Sequence, residues 1–174
     1  HISNFREVKR VTDCVQILAA VRAEIDCELW MAGDGPARTA AERLAFELNV
    51  HDHVHFLGKQ NHIERLIPQC DVLLLPSRME SFGLAALEAM ACGVIPVTTG
   101  AGGIPEVVTH GETGFLEEVG DTAGQAARVV QILSNPDLRT KMKWAARDAA
   151  EQRFCTTRII PRYEEYYREV LESA

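Results

Sequence analysis

The sequence predicts an α/β fold with a doubly wound, mostly parallel, six-stranded Rossmann-like sheet, followed by a C-terminal helical tail. Short apolar runs alternate with segments of helical periodicity over the first 120 residues. Two of these runs, 72–75 and 94–97, are apolar at every position, which is typical of strands that helices cover on both faces. A repeated strand-then-helix order gives right-handed crossovers and a parallel sheet.

The elements follow from these runs in order along the chain. The predicted strands are 2–5, 27–32, 54–57, 72–75, 95–98 and 114–116. The predicted helices between them are 8–25, 36–48, 63–69, 83–91 and 104–108.

After about Asp121 the pattern contains helices only. These are 122–134, 137–152 and 157–172. Asn135-Pro136 separates the first from the second because proline cannot continue a helix. We therefore expect one domain over residues 1–174, with the sheet and its helices in 1–120 and the helical tail in 121–174.

Composition and charge exclude several classes of protein. The formal net charge of −7 disfavours a nucleic-acid-binding protein, which needs a basic surface. The five cysteines are scattered without a CxxC pair, a pattern of reduced thiols that predicts a cytoplasmic protein. No run approaches the roughly 20 apolar residues of a membrane span. The chain begins at His1 without Met, and its first residues already have the pattern of the end of a strand, which indicates a piece of a longer protein.

The segment Glu80-Ser81-Phe82-Gly83-Leu84-Ala85-Ala86-Leu87-Glu88 is the strongest candidate site. It follows an apolar strand, and ligands of open parallel sheets bind at the carboxyl ends of the strands. All neighbours of Glu88 from Leu84 to Ala91 are apolar, which predicts a helix buried nearly all round. A carboxylate there needs hydrogen-bond donors. A ribose diol offers two, and a lysine or arginine from elsewhere in the fold is the alternative.

The start of this helix suits an anion. Gly83 allows close approach of a ligand to the backbone, and the N–H groups of Phe82, Gly83 and Leu84 are predicted to be free. Glu80, taken alone, is better explained as a helix-capping acid. Glu80 and Glu88 lie on either side of the segment from Ser81 to Gly83, and the two acids together indicate a ligand-binding site.

A diphosphate needs charged donors as well. Micromolar binding requires about 8 kcal/mol, whereas a helix terminus supplies roughly 0.3–2 kcal/mol. Hydrogen bonds to charged groups add about 1.5–3 kcal/mol each. Arg6, Lys9 and Arg10 follow the first predicted strand and are the candidate source; a solvated surface cluster is the alternative.

A metal site is not predicted. His51, His53 and His55 alternate, but no carboxylate or cysteine is spaced to complete a tetrahedral site. Tyr163, Tyr166 and other apolar residues of the last helix recur at helical spacing, which favours core or interdomain packing.

The chain resembles the large family of retaining glycosyltransferases that carry an E-x7-E element. In this chain Glu80 and Glu88 form that element. The resemblance covers essentially the whole chain. Its other landmarks are Gly33-Asp34-Gly35-Pro36, Phe56-Leu57-Gly58, Pro76-Ser77, Glu88-Ala89-Met90-Ala91-Cys92-Gly93 and Gly102-Gly103-Ile104-Pro105-Glu106.

This resemblance implies a fold and a set of roles. The chain would be the C-terminal, donor-binding half of a GT-B fold, with the N-terminal acceptor domain outside it. Glu88 would bind ribose hydroxyls and Glu80 a hydroxyl of the donor sugar. Lys9 and the 82–84 amides would hold the diphosphate.

The resemblance also places the base and the catalytic groups. The base would lie beside Leu57, Gly58 and Lys59. Lys9, Arg6 and Glu80 are the candidate catalytic residues, and Arg6 stands in for the arginine that the family usually has where this chain has Asn4. No metal or other cofactor is implied.

Residues 1–6, 8–11, 57–60 and 110–114 resemble more closely the branch of this family that acts in bacillithiol biosynthesis. That resemblance implies UDP-N-acetylglucosamine as donor and L-malate as acceptor. Another nucleotide-sugar with a lipid or polysaccharide acceptor, and a UDP-sugar 2-epimerase, are the alternatives among enzymes. Homo-oligomers, and peripheral membrane association if the acceptor is a lipid, are further possible partnerships.

Two non-catalytic classes are the remaining alternatives. A receiver-like signalling domain needs an acid pair after its first strand, where this chain has Ser3-Asn4-Phe5-Arg6. An interaction module is an alternative for the helical tail.

Overall fold

The computed structural model describes residues 1–173, which form an α/β domain with five strands. The strands are β1 (Leu29–Ala32), β2 (Val54–Gly58), β3 (Val72–Leu75), β4 (Ile95–Thr99) and β5 (Phe115–Glu117). The helices are α1 (Val11–Arg22), α2 (Arg38–Glu47), α3 (Ile63–Leu66), α4 (Leu84–Ala91), α5 (Ile104–Val107), α6 (Thr122–Ser134), α7 (Pro136–Phe154) and α8 (Thr156–Glu172).

All strand pairs are parallel. β1 pairs with β2, and β3, β4 and β5 pair in that order. Ile2 forms a parallel bridge to Ala32 of β1, and on its other side the His1 Nδ1 atom donates to the Leu74 carbonyl of β3 at 2.8 Å. The first residues therefore lie between the two parts of the sheet, and the prediction of a parallel α/β fold is confirmed.

The predicted strand 2–5 is wrong over most of its length. The chain leaves the sheet after Ile2 because the Phe5 N–H donates to the Ser3 hydroxyl at 3.2 Å, a local bond that competes with strand pairing. Phe5 then adopts a left-handed backbone with φ of 42°. Helix α1 is also shorter than predicted, because a 3₁₀ turn over Glu7–Lys9 and a left-handed Arg10 precede it.

Two apolar cores cover the two faces of the sheet. One is built mainly from α1, α2 and α6 and contains Phe5, Ile17 and Ile132, all fully buried. The other is built from α4, α5 and α7 and contains Met90 and Ile104. Helices on both faces explain why the strands are continuously apolar.

The helical tail has two different parts. α6 and α7 bury residues such as Ile132 and Met142 against the domain, whereas no described residue of α8 is buried. The exposed apolar side chains of α8 are Ile160, Tyr163, Tyr166, Tyr167, Val170 and Leu171. None of the helices in residues 1–173 has the length and apolarity that crossing a membrane requires.

Candidate functional site

Two loops that are far apart in sequence meet at the carboxyl edge of the sheet. The Lys9 Nζ atom donates to Glu80 Oε1 at 2.6 Å, and the Ser77 hydroxyl donates to the same oxygen at 2.8 Å. The backbone N–H of Arg78 donates to the Val8 carbonyl at 2.8 Å. The structure thus brings together the predicted residues Lys9 and Glu80, with side chains only 20% and 13% exposed.

The loop that carries Lys9 is held against the loop after β1. A methyl group on Gly33 would overlap the Ser3 carbonyl oxygen, and one on Gly35 would overlap that of Asn4. The Ala37 N–H donates to the Phe5 carbonyl at 2.9 Å. Glycine is therefore required here because two backbone segments are in contact.

We define the donor loop as residues 80–83, between β3 and α4. The Gly103 N–H donates to the Glu80 carbonyl at 3.0 Å. A methyl group on Gly102, which has a φ of 63°, would overlap that carbonyl, and one on Gly103 would overlap the Ser81 carbonyl. The loop after β4 thus supports the donor loop through its backbone.

Sequence reasoning missed this role of Gly102 and Gly103. In the sequence the two glycines serve only as family landmarks, because the segment around them does not match a dinucleotide-binding fingerprint. The available signal was a pair of adjacent glycines at the end of an apolar strand, which indicates close backbone approach.

The start of α4 presents unpaired amides. Gly83 is the N-cap, with a φ of 94° and no capping side chain. Within the part of the chain that the structure describes, the amides of Phe82, Gly83 and Leu84 have no hydrogen-bond acceptor. Free amides and the helix dipole together favour an anion at this position.

Glu88 lies one turn further along α4, and the predicted burial of this helix is wrong. Ala86, Ala89 and Met90 are buried, but Leu84 is 64% exposed and Glu88 is also exposed. Residues four apart share a helix face, so Leu84 and Glu88 form an outer face that the domain leaves uncovered.

The pairing alternative for Glu88 is not observed. No lysine, arginine or histidine among residues 1–173 forms an ion pair with its carboxylate. The carboxylate is therefore available to a ligand, but the reason is its exposure at the site edge and not a desolvated interior.

The three predicted cations have different environments. Lys9 pairs with Glu80, and Arg10 donates from Nε to Asp13 Oδ2 at 2.7 Å. Arg10 thus has an internal partner, and no phosphate is needed to explain it. Arg6 is exposed and forms no ion pair with the acids of the described residues.

The predicted base-binding segment ends β2 at the same edge. The Gly58 carbonyl accepts from the Gly33 N–H at 2.8 Å, so this loop is fixed to the loop after β1. Leu57 is half-buried. Lys59 is exposed and forms no ion pair with an acidic residue of the described part of the chain. The Arg38 guanidinium lies 5.5 Å from the centre of the Phe56 ring beside it.

The alternating histidines have separate partners. His51 stacks on Phe46 with ring centres 4.3 Å apart, and the His55 Nε2 atom lies 3.3 Å from a Glu28 carboxylate oxygen. Over residues 1–173, no three His, Cys, Asp or Glu side chains are grouped as metal ligands.

A cavity of about 460 Å³ lies away from this site. It opens at the amino ends of the strands, where Leu29 of β1 and Val72 of β3 line it. Ligands of parallel sheets bind at the opposite edge, so the site is the shallow surface formed by the loops described above.

The family profile described as "Glycosyl transferases group 1" matches residues 1–149. The chain belongs to this family. Its structural neighbours are GT-B glycosyltransferases, and the predicted family and fold are thereby confirmed.

Among curated proteins, the chain is 47% identical over 171 residues to N-acetyl-alpha-D-glucosaminyl L-malate synthase of Bacillus anthracis. The match covers 98% of this chain and 45% of that protein. The chain therefore spans less than half the length of this relative.

Two solved structures superimpose on all or most of this chain. HepE of Anabaena in complex with UDP superimposes with a TM-score of 0.86 and 26% identity, covering 100% of this chain and 48% of that one. The C-terminal domain of a group 1 glycosyltransferase from Francisella tularensis superimposes with a TM-score of 0.82 and 23% identity, covering 89% of this chain and 85% of that one. The second shows that a domain of this fold has been crystallised by itself.

Proposed function

We propose that this chain is the donor-binding half of a retaining glycosyltransferase that transfers N-acetylglucosamine from UDP-N-acetylglucosamine to L-malate. The single observation that carries the proposal is the position of Lys9 beside Glu80, at the start of a helix with free amides. A cation and free amides at one edge of the sheet form a site for a diphosphate.

The diphosphate is held by Lys9, Arg6 and the amides of Phe82–Leu84. Arg6 has no acidic partner in the described residues, so its guanidinium is free to bind phosphate oxygens. During transfer these groups stabilise the negative charge that develops on the departing UDP. In this proposal the protein supplies the positive charge, and no metal ion is required.

The sugar and the nucleoside lie on either side of the diphosphate. Glu80 accepts a hydrogen bond from a hydroxyl of the donor sugar while its Oε1 atom keeps Lys9 in place. Glu88, on the exposed face of α4, accepts from the ribose hydroxyls. Ser81, the second residue of the donor loop, borders the donor. Leu57, Gly58 and Lys59 border the base.

The choice of UDP-N-acetylglucosamine and malate rests on the relative from Bacillus anthracis, since 47% identity over nearly the whole chain is high for this family. The HepE structure, which contains UDP, supports uracil as the base. Other members of the family match at lower identity, among them a 2-deoxystreptamine N-acetyl-D-glucosaminyltransferase at 30%.

The acceptor is bound by a second, N-terminal domain. The exposed apolar face of α8, centred on Tyr163 and Tyr167, is available to pack on that domain. Closure of the two domains then completes the site and excludes water. The domain division at about residue 120 and a cytoplasmic location are parts of the same proposal.

Calorimetric titration of the 174-residue chain with UDP tests the proposal. We expect binding by the wild-type chain and loss of most of the affinity in Glu88→Ala, because the ribose hydroxyls lose their acceptor. Glu112→Ala is the matched control, since Glu112 is an exposed acid in the turn before β5. Unchanged UDP affinity in Glu88→Ala would discard the ribose assignment.

The full-length enzyme distinguishes the remaining activities. Mass spectrometry should detect N-acetylglucosaminyl malate only when donor and malate are both present, and the 174-residue chain alone should form none. Conversion of the donor into its 2-epimer in the absence of malate, which leaves the mass unchanged and is detected by NMR, would instead indicate a 2-epimerase.

A further inference from the structure

The end of α7 packs directly on the donor loop. The ring of Phe154 meets that of Phe82 edge to face, with centres 5.8 Å apart and an angle of 76° between the planes. Both rings are half-buried against the core formed by α4, α5 and α7. These two residues are 72 positions apart, so the contact exists only in the folded chain.

Arg153 fastens this end of α7 to α5. Its guanidinium lies 4.9 Å from the centre of the Phe154 ring and donates to the Glu106 carbonyl. Cation–π and aromatic pairs of this geometry have favourable energies beyond the area they bury. The Phe154 ring therefore contacts both the Arg153 guanidinium and the Phe82 ring.

The donor loop has few other side-chain anchors. At the start of the loop the Glu80 side chain is held by Lys9 and Ser77, and Gly103 and Gly102 support the backbone of Glu80 and Ser81. Ser81 is exposed and Gly83 has no side chain. The ring of Phe82 is thus the side chain that anchors the loop just before the free amides at the start of α4. Moving this ring would rotate the peptide planes that carry those amides.

We infer that Phe154 is a positioning residue for the diphosphate-binding amides of the donor loop. It contacts Phe82 and not the ligand, and it acts by holding the loop backbone in the orientation that the diphosphate requires. This inference rests on the proposed function, since it assigns a support to the same diphosphate site.

The test compares UDP with uridine on the 174-residue chain. Phe154→Ala should weaken UDP binding by about tenfold, near the upper end of what an aromatic pair contributes. The same variant should leave uridine binding within about twofold, because uridine has no diphosphate for the amides to hold. Phe154→Tyr keeps the ring and should therefore retain the UDP affinity of the wild-type chain. Tyr167→Ala is the control, because Tyr167 is an exposed aromatic residue of α8.

Amide NMR spectra without ligand provide a second measurement. Phe154→Ala should shift the signals of Phe82, Gly83 and Leu84 and leave that of Gly58 in place. Equal weakening of UDP and uridine, or unchanged donor-loop signals, overturns the inference. A wild-type chain that binds no UDP overturns the proposed function instead. The spectra then still decide whether Phe154 holds the backbone of the donor loop in its orientation.

Discussion

Lys9 and Glu80 lie 71 positions apart in sequence, yet their charged atoms are 2.6 Å apart. Glu80 also accepts from the Ser77 hydroxyl, so the carboxylate is held by two donors. The pair fixes a lysine at the carboxyl edge of the sheet, where its remaining N–H groups can bind an anion.

Lys9→Ala should raise the dissociation constant of UDP by roughly 10- to 100-fold, since hydrogen bonds to charged groups contribute about 1.5–3 kcal/mol. Calorimetric titration measures this effect. Lys143→Ala is the matched control, because Lys143 also pairs with a carboxylate, that of Asp71 at 3.0 Å, but at the amino edge of β3. Equal losses in the two variants would argue against a diphosphate site at Lys9.

Gly102→Ala should destabilise the donor loop. The left-handed φ of 63° costs a non-glycine residue about 1–2 kcal/mol, and the added methyl group would overlap the Glu80 carbonyl oxygen. We expect a lower melting temperature and weaker UDP binding. Gly100→Ala is the control because an added methyl group there meets no atom within 4 Å; a similar loss in both variants would contradict the prediction.

Removal of α8 should leave the domain folded. A chain that ends at Cys155 loses no buried side chain of the described residues, so its free energy of unfolding should change by less than about 1 kcal/mol. Met142→Ala, at a fully buried position of α7, should cost about 2–5 kcal/mol. Urea unfolding measures both, and a deletion as costly as Met142→Ala would show that α8 stabilises this domain itself.

Cys155 should be the most reactive of the five thiols. A hydrogen bond with the Thr157 hydroxyl lowers the pKa of Cys155, whereas burial raises the pKa of Cys14 to about 12. The thiolate is the nucleophile, so modification by a disulfide reagent at neutral pH should begin at Cys155 and reach Cys14 last. Peptide mapping after short exposures identifies the order.

Thr157→Val supplies the control for this thiol. It removes the hydroxyl, so the pKa of Cys155 should rise and its rate at neutral pH should fall. The rate at Cys92, whose pKa burial raises, should not change. A Cys155 rate that is independent of Thr157 would contradict the assigned cause.

The class of fold and most elements were predictable from local patterns. Residues 72–75 and 122–134 were predicted with the bounds that the structure gives them, because uniform apolarity and a clear helical period are local signals. The prediction of a strand over 2–5 was wrong because the hydrogen bond from the Phe5 N–H to the Ser3 hydroxyl, and not the apolar pattern, determines the backbone conformation of this segment.

The candidate site was predictable only in part. The pattern placed Glu80, Gly83 and Glu88 around one helix start, since that relationship is local. The burial of Glu88 was predicted wrongly because alanine is compatible with either face of a helix. Packing of α4 against α7, α5 and the strands β3 and β4 determines which face is covered.

The sequence by itself determined the α/β order, the helical tail and the family, because each depends on residues close together in the chain. Only the tertiary structure decided that Lys9 meets Glu80, that Gly102 supports the donor loop and that Phe154 packs on Phe82. Those contacts join segments whose approach depends on strand order and helix packing, and no local periodicity encodes the distance between two loops.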